Sequence, residues 1–220
     1  MSVPTHATSS AAPPEYIAAM QPDLVLTYQR WIDDAEYDLL SSIAPTVVIG
    51  DGDTGWREHF EETAAAVGYD EAAAEILSDV DERFDQARAA VDGLPLSALA
   101  ITPGPLLRAY TDDSTALTDV LTQLGAQFLP TDVPDTDGAG RITLSMERLD
   151  ELAGDVLVLF QTDLIEGELD ALAEVQRSPL WSSIPAVGDD SVVTLDRLGY
   201  PGALGAGQLA TDLEAALQQA

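Results

Sequence analysis

Cysteine is absent from this 220-residue chain, and so is lysine: all nine basic side chains are arginine, set against 39 carboxylates. Without cysteine there is no disulfide, no thiolate metal site, no cysteine nucleophile and no lipidated cysteine anchor. The formal charge of −30 repels phosphate backbones and anionic lipid, which disfavours nucleic acid and membrane surfaces as partners. Histidine occurs twice, at His6 and His59, and no HExxH or other histidine pair exists to hold a metal. No G-x-S-x-G elbow is found. No apolar run reaches the roughly eighteen residues that cross a bilayer. The opening MSVPTHATSSAAPP lacks the basic start and apolar stretch of a signal peptide. Taken literally, it leaves the chain in the cytoplasm.

What is present is a core. Hydrophobic residues make up 46% of the chain, far more than an acidic disordered segment carries. The dispersed acids keep a surface solvated and fit a halophilic or compositionally biased proteome. Residues 1–14 read as a flexible tail. Asp23–Tyr28 (DLVLTY), Thr46–Ile49 (TVVI), Ser97–Thr102 (SALAIT), Asp155–Phe160 (DVLVLF) and Ser191–Leu195 read as strands, with a short one at Phe128–Leu129. Helices are expected at Glu15–Met20, Ala35–Ile43, Trp56–Val67, Thr115–Leu124, Glu147–Leu152, Leu169–Arg177 and Gln208–Gln218. Thr131–Arg141 is a loop rich in Asp, Pro and Gly, and Pro179–Ile184 a turn carrying Trp181. The longest helix, Glu71–Val91, places Ala74, Leu77, Val80, Phe84, Ala87 and Val91 on one stripe. At about 1.5 Å per residue it reaches roughly 30 Å, enough to bridge two lobes.

Two segments echo each other at an offset of 132 residues: EYIAAMQPDLVLTYQ from Glu15 and ERLDELAGDVLVLFQ from Glu147. Each reads as a short helix, a turn and a buried strand, and the long helix lies between them. The expected fold is α/β, with two Rossmann-like lobes of mostly parallel sheet joined by that helix. Its parts are a partial first lobe (residues 15–69), a connecting helix (70–92) and a second lobe (93–220). In such sheets ligands bind beyond the carboxyl ends of the strands, so facing lobes make a cleft between them.

Gly50–Gly55 (GDGDTG) fits the dinucleotide pattern G-x-G-x-x-G. Asp51 and Asp53 oppose a pyrophosphate, however, and no second strand follows to carry a ribose-binding acid. The same loop fails as a calcium site, because Trp56 stands where the sharp turn needs glycine. His59, among Glu58, Glu61 and Glu62, reads as a solvated helix residue. No catalytic constellation emerges. What remains is a set of aromatic and arginine side chains in loops after strands: Arg30 and Trp31, Trp56 with Arg57, Arg108 and Tyr110, Gln161 and Thr162, and Arg197 and Tyr200. Singly each reads as an acid-paired arginine or a core plug. Together they suit a bulky, oxygen-rich ligand, because guanidinium donates to oxygens and the rings give rigid walls.

PEYIAAMQPDLVLTYQRW, IAPTVVI, the W(x)₁₀VG spacing before the long helix, ITLSMERLDELAGDVLVLF and SPLWSSIPAVGDDSVVTLD together resemble the ferric-siderophore substrate-binding proteins of bacterial ABC importers. The resemblance runs from about Glu15 to the C-terminus. It implies a non-enzymatic protein, without a cofactor or metal ligands of its own, that captures an iron chelate outside the cytoplasmic membrane and hands it to a permease. The chelator's oxygens hold the iron. Hydroxamate binders of that family use arginine, tyrosine and tryptophan and catecholate binders several cations, so the loop residues Arg30, Trp31, Trp56, Arg108, Tyr110, Arg197 and Tyr200 are the expected ligand contacts. It implies permease docking through Glu15 and Glu147, which otherwise read as first-turn glutamates favoured by the helix dipole. It also implies a monomer, without nucleic acid or a membrane span. Members carry a further strand–helix–strand portion and a signal sequence ahead of PEYIAAMQPDLVL, so the first lobe is expected to be incomplete here. Alternatives are a haem or cobalamin binder of the same class, with Tyr200 or Tyr110 as a haem ligand, a nucleotide-dependent α/β enzyme using GDGDTG, and an interaction module without a small ligand.

Overall fold

A computed structural model describes residues 13–29, 32–50, 55–111, 116–131, 140–200 and 202–219. It divides into two compact units, Met1–Ala74 and Glu75–Ala220. Most of the expected tail, and Arg30, Trp31, Asp51 and Asp53, lie outside the described residues.

In the first unit, α1 (Pro14–Met20) begins on a proline, whose missing N–H costs nothing in the first turn, and ends at Gln21 in the left-handed conformation. Strand β1 (Val25–Tyr28) pairs parallel with β2 (Thr46–Ile49), bringing Tyr28 beside Ile49. The crossover is α2 (Asp34–Ser41), started by a capping box in which Asp33 and Glu36 satisfy each other's backbone N–H. Helix α3 (Trp56–Val67) follows and stops at Gly68, whose φ of 75° suits a residue without Cβ. Ala44, Ile49, Trp56 and Ala64 form the buried part, while Tyr16, Leu26, Tyr28, Tyr37 and Leu39 remain exposed.

The partition falls inside α4 (Asp70–Val91), so the chain enters the second unit as helix. Its buried stripe is Ala73, Leu77, Val80, Phe84, Ala87 and Val91. Ala73 takes the place expected for Ala74, because a spacing of four from Leu77 keeps the stripe straight whereas three turns it outward. Then come β3 (Pro95–Thr102), β4 (Leu106–Tyr110), α5 (Ala116–Gln123), β5 (Gln127–Phe128) and β6 (Arg141–Leu144). After a 3₁₀ turn at Met146–Glu151 follow β7 (Val156–Gln161), α6 (Glu168–Gln176), a second 3₁₀ turn at Trp181–Ser183, α7 (Pro185–Gly188), β8 (Val192–Asp196) and α8 (Gly202–Leu217). The sheet runs β6-β4-β3-β7-β8, with β5 added to the start of β3.

Among the described residues four of the six strand pairings are parallel, and the two antiparallel ones involve β4. That strand corrects a loop expectation. Pro103–Gly104–Pro105 is a tight turn rather than the start of a long loop, and Leu106–Tyr110 folds back along β3. Leu107 and Ala109 point into the core while Arg108 and Tyr110 take the other face. Arg141, expected at the end of a loop, opens β6 for the same reason: Ile142 and Leu144 alternate inward.

One face of the sheet (Leu99, Ile101, Leu107, Ala109, Ile142, Leu144, Leu157, Leu159) packs on Ala171 and Val175 of α6 and on Trp181, Ile184 and Ala186. The opposite face carries Ala98, Ala100, Val158, Phe160, Val193 and Leu195, all buried. Helix α8 packs against β8, α5 and, at Gly207, α4.

The 132-residue echo is visible in the elements. The offset carries Pro14 onto Met146, the first residues of α1 and of the 3₁₀ turn, and β1 onto Leu157–Phe160 of β7. Both strands then pair parallel with the next one, Tyr28 beside Ile49 and Phe160 beside Leu195.

Candidate functional site: an arginine cluster around Tyr110

Pleating and register bring three arginines to one tyrosine. Arg108 and Tyr110 lie two apart on β4, hence on one face. Tyr110 stands opposite Arg141 on β6, and Arg108 opposite Thr143. Across β3, whose Ala98 and Ala100 leave room, Tyr110 meets Phe160 of β7 edge-on, with ring centroids 5.7 Å apart. Phe160 pairs with Leu195 of β8, and Arg197 follows two residues later, its backbone N–H donating to the Gln161 carbonyl at 2.8 Å. Burial pushes the Tyr110 hydroxyl above its usual range, and the charges of Arg197, Arg141 and Arg108 oppose that shift. Three of the chain's nine arginines therefore act on one buried phenol.

Arg197 is not loose. Its Nη2 donates to Glu168 Oε2 at 2.6 Å and its Nε to Oε1 at 3.4 Å. Glu168, in the first turn of α6, is fully buried and also accepts from the Thr162 N–H at 3.0 Å. Gly167 precedes it with a φ of 83° and lets the chain turn into the helix. The hydrogen bond to Glu168 is the main reason the Arg197 guanidinium holds its proton more tightly than usual. Arg108, half-buried, has no ion pair or hydrogen-bond partner among the described residues.

The other expected contacts lie elsewhere. Tyr200 donates to Asp212 Oδ2 at 2.9 Å, with Gln208 donating to the other oxygen at 2.7 Å. It lines a separate groove of about 430 Å³ beside β8 and α8, and burial, then Asp212, pushes its hydroxyl well above the phenol range. Trp56, in the first unit, is buried at the start of α3, with the Arg57 guanidinium 5.1 Å from its ring. Glu15 and Glu147 are both exposed in first turns. Glu147 is held below the usual carboxylate range by its own backbone N–H and then by Ser145. His59 meets Tyr28 edge-on at 5.5 Å. The Gly50 N–H donates to Glu62 Oε2 at 2.6 Å, so an anion already sits on an amide that a nucleotide phosphate would need.

Sequence reasoning missed Arg141, Phe160 and Glu168 as members of the cluster. Arg141 carried a signal in the alternation of RITL. Glu168 carried none, being one acid among 39. Among the described residues no group of three or more His, Cys, Asp or Glu could hold a metal, and no described helix is long and apolar enough to cross a membrane.

The periplasmic binding protein family matches residues 2–197. The ferric enterobactin-binding periplasmic protein FepB of Escherichia coli O6:H1 is 29% identical over 205 residues, covering 86% of this chain and 63% of that protein. The iron-uptake system-binding protein of Bacillus subtilis strain 168 is 22% identical over 183 residues, covering 81% and 56%. The chain thus spans about three fifths of the length of the curated relatives it matches. Among solved structures, the triscatecholate siderophore binding protein FeuA of B. subtilis, complexed with ferri-bacillibactin, superposes with a TM-score of 0.72 at 22% identity, covering 94% of this chain and 74% of that one. Staphylococcus aureus SirA complexed with staphyloferrin B gives the same TM-score, identity and coverage. At these identities the structural likeness establishes a shared fold. The match over residues 2–197 establishes more: the chain belongs to the periplasmic binding protein family.

Proposed function

We propose that the chain is the substrate-binding part of an ABC importer, taking up a ferric siderophore outside the cytoplasmic membrane and presenting it to a permease. The arginine cluster around Tyr110 carries this reading and favours an anionic, catecholate-type chelate. With 9 bases against 39 acids, the protein's overall field repels an anion, so capture depends on local cations. Guanidinium forks donate to chelate oxygens without displacing the iron, which stays with the chelator as cargo. The partly buried aromatic setting strengthens each such contact. Family membership and the names of the relatives support the same reading. Glu15 and Glu147, equivalent under the echo and both exposed, are the proposed permease contacts. The organisation into residues 15–69, a helix at 70–92 and residues 93–220 is proposed with it. The haem and nucleotide readings gain nothing: Tyr200 is engaged by Asp212, and Glu62 occupies the Gly50 amide.

The test is a titration with ferri-bacillibactin and with the hydroxamate chelate ferrioxamine B, read by tryptophan fluorescence. Saturable quenching is expected from the trianionic catecholate in preference to the hydroxamate. Arg108→Ala should weaken it at least about tenfold, the loss expected for a charge-assisted hydrogen bond. Absence of saturable binding by either chelate refutes the proposal.

A further inference from the structure

From the arrangement around Arg197 we infer that Glu168 is a positioning residue for chelate recognition, setting the aim of Arg197; this rests on the function proposed above. A carboxylate sealed from solvent beside a ligand surface is costly unless it is fully used. Glu168 is fully used: one oxygen receives Arg197 Nη2, the other receives Arg197 Nε and the Thr162 amide. The hold occupies one edge of the guanidinium. Donors on the Nη1 side remain, and the side chain is 19% exposed. An arginine gripped along one edge loses little further rotamer freedom when the other edge binds, so its contact with a rigid chelate is preorganised.

Anchoring of the β7–α6 turn through Thr162 is the competing explanation, and a double-mutant cycle separates the two. Ferri-bacillibactin affinity is measured for wild type, E168Q, R197A and the double variant, with folding checked by circular dichroism. The glutamine keeps an acceptor for Thr162 but turns donors toward Nη2. We expect E168Q and R197A each to weaken binding at least about tenfold. In the R197A background E168Q should change affinity by less than about twofold, because nothing is left to aim. The double variant also removes the stranded buried charge, so it keeps the cycle readable where R197A alone folds poorly. R197K is the milder companion. It retains the charge without the fork, and should lose nearly as much as R197A.

Equal losses from E168Q in both backgrounds would overturn the inference in favour of a turn anchor. The Arg197 Nε–H resonance gives a reading independent of the chelate: it should be resolved and slowly exchanging in wild type and averaged in E168Q. If that signature is present but wild type binds neither chelate, the function proposed above fails. The pair is then structural only, and the positioning role falls with it. If the signature is missing while wild type binds, the positioning role fails alone.

Discussion

Gly154 sits where a single added methyl group should separate packing from propensity. A Cβ there would fall on the amide nitrogen of Ser97 and within 2.5 and 2.6 Å of Leu96 C and Cα. All three are backbone atoms of β3, a strand bonded to β4, β5 and β7 and buried at Leu96, so no side-chain tip can swing away. Relief requires moving β3 or the segment ahead of β7 by at least about half an ångström, an overpacking cost of about 1–3 kcal/mol. The same shift stretches a buried hydrogen-bond chain in which the Gly154 N–H donates to Ser97 Oγ at 3.1 Å and that hydroxyl donates to the Leu129 carbonyl at 2.9 Å. Weakening it adds about 0.5–1.5 kcal/mol. Against these stands about 0.4–1 kcal/mol gained by restricting the unfolded chain. Gly154→Ala should therefore destabilise by about 0.5–4 kcal/mol, centred near 2 kcal/mol. Gly188, at the end of α7, has nothing within 4 Å of its Cβ position and needs no left-handed backbone. Gly188→Ala should show only the unfolded-state gain, about 0.4–1 kcal/mol. Urea unfolding of both variants and wild type, followed by tryptophan fluorescence and circular dichroism with the slopes compared, measures the contrast. A Gly154→Ala variant within about 0.5 kcal/mol of wild type would refute the packing argument, since ordinary surface substitutions cost no more.

Other consequences concern polar groups. Arg197→Met strands the buried Glu168 carboxylate and should cost about 3 kcal/mol in urea unfolding. Arg88→Met, which breaks only the exposed 2.7 Å pair with Asp85, should cost less than about 1 kcal/mol. Ser97→Ala leaves the Leu129 carbonyl and the Gly154 N–H without their hydroxyl partner and should lose about 1–3 kcal/mol by the same assay. Tyr110 and Tyr200 both hold their protons more tightly folded than unfolded, through burial and, at Tyr200, Asp212 as well. Their stabilisation is fully present below the unfolded phenol value of about 10 and is lost as pH rises through the folded values. Thermal melts above that pH should fall in wild type and fall less in Tyr200→Phe; an unchanged alkaline slope would count against the assignment.

The amino-acid pattern by itself determined the elements whose burial is continuous or periodic. DVLVLF is apolar at almost every position because β7 is buried on both faces between β3 and β8, and α4 repeats its apolar residues at helical spacing because one stripe faces the core. The echo was legible because matching helix–turn–strand units need matching local chemistry. LLRAY and RITL were less visible. Each is short and alternating, and a four- or five-residue strand becomes recognisable only when a partner satisfies its backbone. The cluster was hidden for a related reason. Arg108, Arg141, Phe160, Glu168 and Arg197 span 90 residues of chain, and nothing local distinguishes Glu168 from 38 other acids. Only the pairing of β6, β4, β3 and β7 puts Arg108, Arg141 and Phe160 on one face, only the fold brings α6 close enough for Glu168 to meet Arg197 beyond β8, and only burial turns one of many carboxylates into the anchor of an arginine. Composition and periodicity are local and survive in the unfolded chain; register and burial exist only once the strands have met.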